Sequence, residues 1–317
     1  CIRDRVNGGG GVLFNDQPDV AGITAITAAH RQFGTTGMLL TLISDDLAVI
    51  KKGISAVNAA IETGIPGVLG IHIEGPFLNA ENRGIHDARK IQKLTADIVD
   101  ELEPVNNGCS LITVAPETMD PALIGALRDK GFIVSAGHSR ASHEEVKTAI
   151  GFGLTGFTHL FNAMSQLTAR EPGMVGAALE DDRCWCGVIA DGHHVSAASL
   201  RVAYRCKGPE KIMLVTDAMP PVGSEKQEFS LLGNRIGVKD GVCVDANGTL
   251  AGAALDMASA VRNMKEMTGC SLADAALMAS ASPAAFLGIQ SKAGKIQAGL
   301  PARFVILDGQ YNLVKVT

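Results

Sequence analysis

In five places along the 317-residue chain a short apolar run ends in, or is followed by, polar ionisable residues: Glu74, His138, His159, the segment Asp191-Gly192-His193-His194, and Asp217. Taken singly, a strand-end histidine or aspartate serves equally well as a cap or a core hydrogen-bonding group. Taken together they offer carboxylates and imidazoles from several strands, the composition of a catalytic metal site. One carboxylate and two imidazoles would give a divalent ion three ligands and leave a position open for water. Such an ion polarises a carbonyl and lowers the pKa of its water to about 7. A nearby carboxylate would relay protons, and Asp217 is the candidate for that role. The ligand types suit Zn2+, and also Fe2+ or Mn2+.

The elements that must position these groups follow from the apolar pattern. Eight short runs, near 2–7, 38–44, 68–74, 110–115, 133–137, 156–159, 187–191 and 212–217, are bounded by Gly, Asp, Asn or Pro. Helical patterns separate most of them, near 20–32, 46–63, 96–103, 121–130, 142–151 and 197–206, with two more near 256–267 and 272–280. Strands alternating with helices predict a parallel sheet, and eight with right-handed crossovers predict a closed (β/α)8 TIM-type barrel. In that fold the reactive groups stand at the C-terminal ends of strands, where these residues fall. Turn signals at Gly237, Gly241 and Asn247-Gly248 predict an inserted β-hairpin near 229–252. We therefore expect the barrel over 1–290 and, over 291–317, a partial accessory β-domain read as a truncated β-sandwich. The start at Cys1 and the stop at Thr317, both in strand-like sequence, read as the ends of a trimmed fragment.

The remaining composition narrows the function. A net charge of −5 excludes a generic affinity for nucleic acid. No stretch approaches the roughly 20 apolar residues of a membrane span, and no signal sequence opens the chain, so a cytoplasmic protein is expected. The seven scattered cysteines fit reduced thiols, and Cys184 and Cys186 lack the second pair that a structural zinc site needs. Gly8-Gly9-Gly10-Gly11 lacks the spacing of a dinucleotide site and reads as a tight loop at the barrel mouth. His30 and His143 lie on helical segments and are expected to be structural or surface residues.

Six segments carry a resemblance: His72-Ile73-Glu74-Gly75-Pro76-Phe77, Gly84-Ile85-His86, Ala136-Gly137-His138-Ser139, Thr158-His159-Leu160-Phe161-Asn162-Ala163-Met164, Ala190-Asp191-Gly192-His193-His194-Val195 and Leu214-Val215-Thr216-Asp217-Ala218. In this order, over nearly the whole chain, they resemble the N-acetylglucosamine-6-phosphate deacetylases of the amidohydrolase superfamily. The resemblance implies Glu74, His138 and His159 as metal ligands, Asp217 as catalytic acid and base, and His86 as the histidine that helps polarise the acetyl carbonyl. It implies Asn162, Ala163 and Arg170 as phosphate contacts, His194 as a substrate-binding histidine, Ala251, Gly252 and Ala253 as a sugar-side loop, and a homodimer. Arg170 offers a planar fork suited to a phosphate, although a surface arginine paired with Glu171 would look the same in sequence.

The first strand departs from the pattern. Where many amidohydrolases carry His-x-His for a second metal, and single-metal deacetylases Gln-x-Asn, this chain reads Arg5-Val6-Asn7; Arg3 likewise replaces a usual Asp. A guanidinium cannot ligate a metal and repels one nearby, so one divalent metal ion per subunit is expected, with Zn2+ first. The expected reaction is hydrolysis of N-acetylglucosamine 6-phosphate to glucosamine 6-phosphate and acetate. The alternatives are the galactosamine epimer, a cyclic amide, for which two metals are usual, and a barrel that binds ligands without turnover.

Overall fold

The structure is a computed structural model that describes residues 2–317, with the side chains of residues 2–4 left out of the account; Cys1 and the side chain of Arg3 therefore lie outside the described residues. Eight parallel strands form one sheet in chain order: β1 (Ile2–Val6), β2 (Gly37–Ile43), β3 (Val68–Glu74), β4 (Cys109–Val114), β5 (Phe132–Ala136), β6 (Leu154–Phe157), β7 (Trp185–Ile189) and β8 (Ile212–Val215). A parallel bridge between Val6 and Ala218, with Asn7 N–H donating to the Ala218 carbonyl at 3.0 Å, joins β1 to the chain leaving β8 and closes the barrel. The helices are α1 (Val20–Arg31), α2 (Leu47–Glu62), α3 (Ala96–Glu101), α4 (Ala122–Lys130), α5 (His143–Phe152), α6 (Gly173–Glu180), α7 (Ala197–Lys207), α8 (Met257–Thr268), α9 (Leu272–Met278) and α10 (Ala281–Phe286). Their starts follow the sequence. Ser142 and Glu145 form a reciprocal capping box on α5, and Asp19, Thr95, Ser196, Asp256 and Ser271 cap their helices through side-chain oxygens.

Alternation along the strands layers the barrel interior. Leu39, Leu111 and Met213 pack with Phe286 and Leu287 in one buried apolar cluster. Two residues further along these strands and their neighbours, Thr41, His72, Thr113, Ser135 and Thr158 are buried and linked: His72 Nε2 lies 2.8 Å from Thr113 Oγ1, which lies 2.8 Å from Thr158 Oγ1, itself 2.9 Å from Ser135 Oγ. Burying so many polar groups is tolerated because each has a partner. One further step of two brings β3 to Glu74 at the rim. The larger apolar cluster, including Leu40, Leu42, Ile71, Ile73, Ile112 and Val188, seals strands against helices.

The structure differs from the sequence reading in several places. α6 was not anticipated because every residue from Gly173 to Leu179 is buried, so no polar face gives it helical periodicity. The 229–252 segment forms a four-stranded antiparallel sheet in place of a single hairpin: β9 (Glu228–Leu231), β10 (Asn234–Lys239), β11 (Val242–Val244) and β12 (Leu250–Ala253). Its first turn, Leu232-Gly233, has both residues at positive φ, as Asp240-Gly241 does, but a leucine there gives no turn signal. In the tail only β13 (Val305–Leu307) and β14 (Leu313–Val316) pair, with an irregular stretch before them.

The glycine run behaves as a tight loop. Gly8-Gly9 pairs with Val12-Leu13, Gly10 and Gly11 turn at φ of 62° and 82°, and a Cβ on Gly8 would stand 2.4 Å from the Val12 carbonyl oxygen. His30 is buried beneath it, its Nε2 2.8 Å from the Gly8 carbonyl oxygen.

Candidate metal centre

The strand ends bring the expected groups to one cavity of about 290 Å³. Asn7, Glu74, His86, His138, His159 and Asp217 line one part of it, and Asn162, Ala163, His194, Ala251 and Gly252 another. Ala253 lies just behind: its N–H donates to the Asp217 carbonyl and its own carbonyl accepts from Met219 N–H, each at 3.0 Å, which ties β12 to the end of β8. That close approach requires glycine at 252, where φ is 79° and a Cβ would meet Met219 Cγ at 2.6 Å. Arg170 is not brought in; it stands on an exposed loop before α6, outside the cavity lining.

Glu74, His138 and His159 present three donor atoms to one point. His138 Nε2 lies 3.1 Å from Glu74 Oε1, His159 Nε2 lies 3.3 Å from the same oxygen, and the two Nε2 atoms are 3.0 Å apart. Donors about 2.0–2.1 Å from a tetrahedral ion stand roughly 3.3–3.4 Å from one another, so this triangle fits one ion, slightly contracted. Chemistry agrees with the spacing. His138 Nδ1 lies 3.0 Å from the Asn82 carbonyl oxygen and must donate to it, which holds the ring with Nε2 toward Glu74 and His159. Two imidazole nitrogens and a carboxylate oxygen this close together suit a cation between them.

The electrostatics keep Glu74 and His159 in their binding forms. Burial alone would raise the Glu74 carboxyl, but the Arg5 guanidinium and the adjacent imidazoles hold it well below the usual carboxylate range. Burial, aided by Arg5, pushes His159 down to about 4, so its ring is neutral.

The flanking groups are oriented by contacts that sequence reading did not single out. His86 Nδ1 accepts from the backbone N–H of Ser44 at 3.2 Å and lies 2.7 Å from Ser44 Oγ. Its proton therefore sits on Nε2, and burial, with His138 nearby, keeps the ring neutral by lowering its pKa well below the usual value. Asp191 Oδ1 accepts from the N–H groups of His193 and His194, both at 2.8 Å, and Oδ2 lies 2.5 Å from His194 Nδ1, which fixes the His194 ring. Asn7 Nδ2 donates to Asp217 Oδ1 at 2.7 Å. His138, His159 and Asp217 adopt positive φ of 49°, 36° and 48°, with Phe161 and Ala163 at 79° and 50°. Each such non-glycine residue costs on the order of 1–3 kcal/mol, a strain that clusters at functional sites.

Residues 17–316 match the Amidohydrolase family. The chain belongs to the amidohydrolase family. Among relatives of this amidohydrolase, the N-acetylgalactosamine-6-phosphate deacetylase of Shewanella sp. (strain ANA-3) is 44% identical over 316 residues, 99% of this chain and 80% of the relative. The N-acetylglucosamine-6-phosphate deacetylase of Haemophilus influenzae is 34% identical over 313 residues, 98% of this chain and 82% of the relative. The crystal structure of N-acetylglucosamine-6-phosphate deacetylase from Pasteurella multocida superposes with a TM-score of 0.94 at 32% identity, covering 100% of this amidohydrolase and 83% of that chain.

Proposed function

We propose that this amidohydrolase removes the acetyl group of an N-acetylhexosamine 6-phosphate, with N-acetylglucosamine 6-phosphate as the first substrate, releasing acetate and the free amino sugar. The convergence of Glu74, His138 and His159 beside Asp217 carries the reading. Those three would hold a divalent ion, Zn2+ before Fe2+ or Mn2+, which would supply Lewis acidity to the amide carbonyl and acidify a water.

The chain's own residues do the rest. The Nε2–H of His86 donates to the acetyl oxygen as negative charge develops there, which is where a fixed donor lowers the barrier most. Asn7 occupies Oδ1 of Asp217 and so directs Oδ2 to the proton transfers: it takes a proton from the attacking water and returns it to the nitrogen as the C–N bond breaks. His194 hydrogen-bonds a sugar hydroxyl. Asn162 and Ala163, which line the cavity, face the phosphate, with Arg170 reaching from its loop. Ala251 and Gly252 close the sugar side.

The 44% identity to an N-acetylgalactosamine-6-phosphate deacetylase favours a second reading in which the galacto epimer is preferred. Acetate release measured on both sugar phosphates decides between them, and release from neither would reject both. A homodimer and a cytoplasmic location complete the proposal. Among the described residues no helix is long and apolar enough to cross a membrane, and the thiols of Cys184 and Cys186 are buried and pushed up to about 11 and about 12 by that burial.

A further inference from the structure

Arg5 is one of the largest fully buried side chains, 1% exposed, and it projects from the end of β1 into the site itself. Its Nη1 lies 3.1 Å from Glu74 Oε1, the same oxygen that faces both imidazoles, and 3.8 Å from Asp217 Oδ1, the same oxygen that Asn7 holds. The side chains of Glu74 and Asp217 are 3% and 14% exposed. Nη1 nevertheless finds no well-directed hydrogen-bond acceptor among the described residues. Nη1 is therefore held by charge, between two buried carboxylates.

A buried carboxylate without a cation is costly, and removing one partner of such a pair leaves an uncompensated charge. Two cations that share one carboxylate oxygen also repel each other, the more strongly for being shielded from water. Both effects operate here at once.

We propose that Arg5 is a built-in counter-cation of the metal centre. In the metal-free chain it neutralises Glu74 and Asp217 and keeps the ligands assembled; in the loaded chain it competes for Glu74 Oε1, so that the ion is bound more weakly than these ligands alone would hold it. Arg5 is thus a positioning residue, acting through the carboxylates and not on the substrate. The inference rests on the metal centre of the deacetylase reading, but its test does not use deacetylation.

Zn2+ affinity, by competition with a chromophoric chelator, and thermal midpoints with and without Zn2+ are measured on the full chain and on Arg5→Gln and Arg5→Lys. Arg5→Gln is expected to bind Zn2+ at least about tenfold more tightly, the lower bound of what a residue adjoining the ligands changes. Its metal-free form should melt below wild type, and Zn2+ should raise its midpoint further than it raises that of wild type. Arg5→Lys, which keeps the charge, should retain the wild-type affinity. If Arg5→Gln folds only with Zn2+ present, the metal-free half of the proposal is supported and affinity is read by chelator extraction. Affinity in Arg5→Gln equal to or weaker than wild type overturns the proposal, as does a lysine variant that tightens as much as the glutamine one. Either result, with acetate release by wild type intact, leaves the deacetylase standing. Failure of all three chains to bind Zn2+, Fe2+ or Mn2+ overturns the metal centre and this proposal together.

Discussion

Asn7 Nδ2 and Asp217 Oδ1 meet at 2.7 Å across the seam where the first strand joins the end of the eighth, 210 positions apart in sequence. The contact occupies one oxygen of the carboxylate and leaves the other for the proposed proton transfers. Asp217→Asn nearly preserves volume but cannot accept and return a proton. Metal and substrate should still bind, while turnover falls by roughly 10²–10⁴-fold. Loss of metal from this variant would show that Asp217 is mainly a ligand; near-normal turnover would move the proton transfer to another group, with His86 or His194 next to be tested.

Arg170 stands outside the cavity lining, so its proposed contact with phosphate depends on the exposed loop reaching inward. Arg170→Ala should weaken kcat/KM for the phosphorylated sugar by about ten- to a hundredfold, the worth of a charge-assisted contact. The unphosphorylated sugar should be almost unaffected. Equal losses on both would assign Arg170 a structural role.

The polar layer beneath the site gives a stability prediction. Burial chiefly, reinforced by Arg5 and opposed by Glu74, pushes His72 down to about 3. Between that value and the usual histidine pKa of about 6.5 the unfolded chain binds a proton that the folded chain refuses. The contribution of His72 to stability is therefore complete above about 6.5, falls as the pH drops toward 3, and is lost no further below that. In His72→Gln this component is removed, so the thermal midpoint should decline less steeply with acid between pH 6.5 and 4 than in wild type. Parallel slopes in the two chains would place the acid sensitivity elsewhere.

What could be read from the sequence follows the range of the interactions. The strands and most helices announce themselves through local periodicity and caps, and the ionisable groups stand where those runs end. The orienting contacts do not: Ser44 meets His86 across 42 positions, Asn82 meets His138 across 56, and Asn7 meets Asp217 only because the barrel closes. Arg5 shows the same limit most clearly. Sequence predicts a cation that repels a second metal, whereas its burial between Glu74 and Asp217 emerges only from the folded rim.

The proposed role of one ion, held by Glu74, His138 and His159, is to drive amide hydrolysis. Its most direct test is metal content and acetate release measured together on wild type and on His138→Ala, with N-acetylglucosamine 6-phosphate and its galacto epimer as substrates. Wild type should hold one divalent ion per chain and release acetate in step with free amine, and His138→Ala should lose both metal and activity, because the nucleophile depends on the ion. Turnover that persists in a metal-free His138→Ala chain would contradict the account.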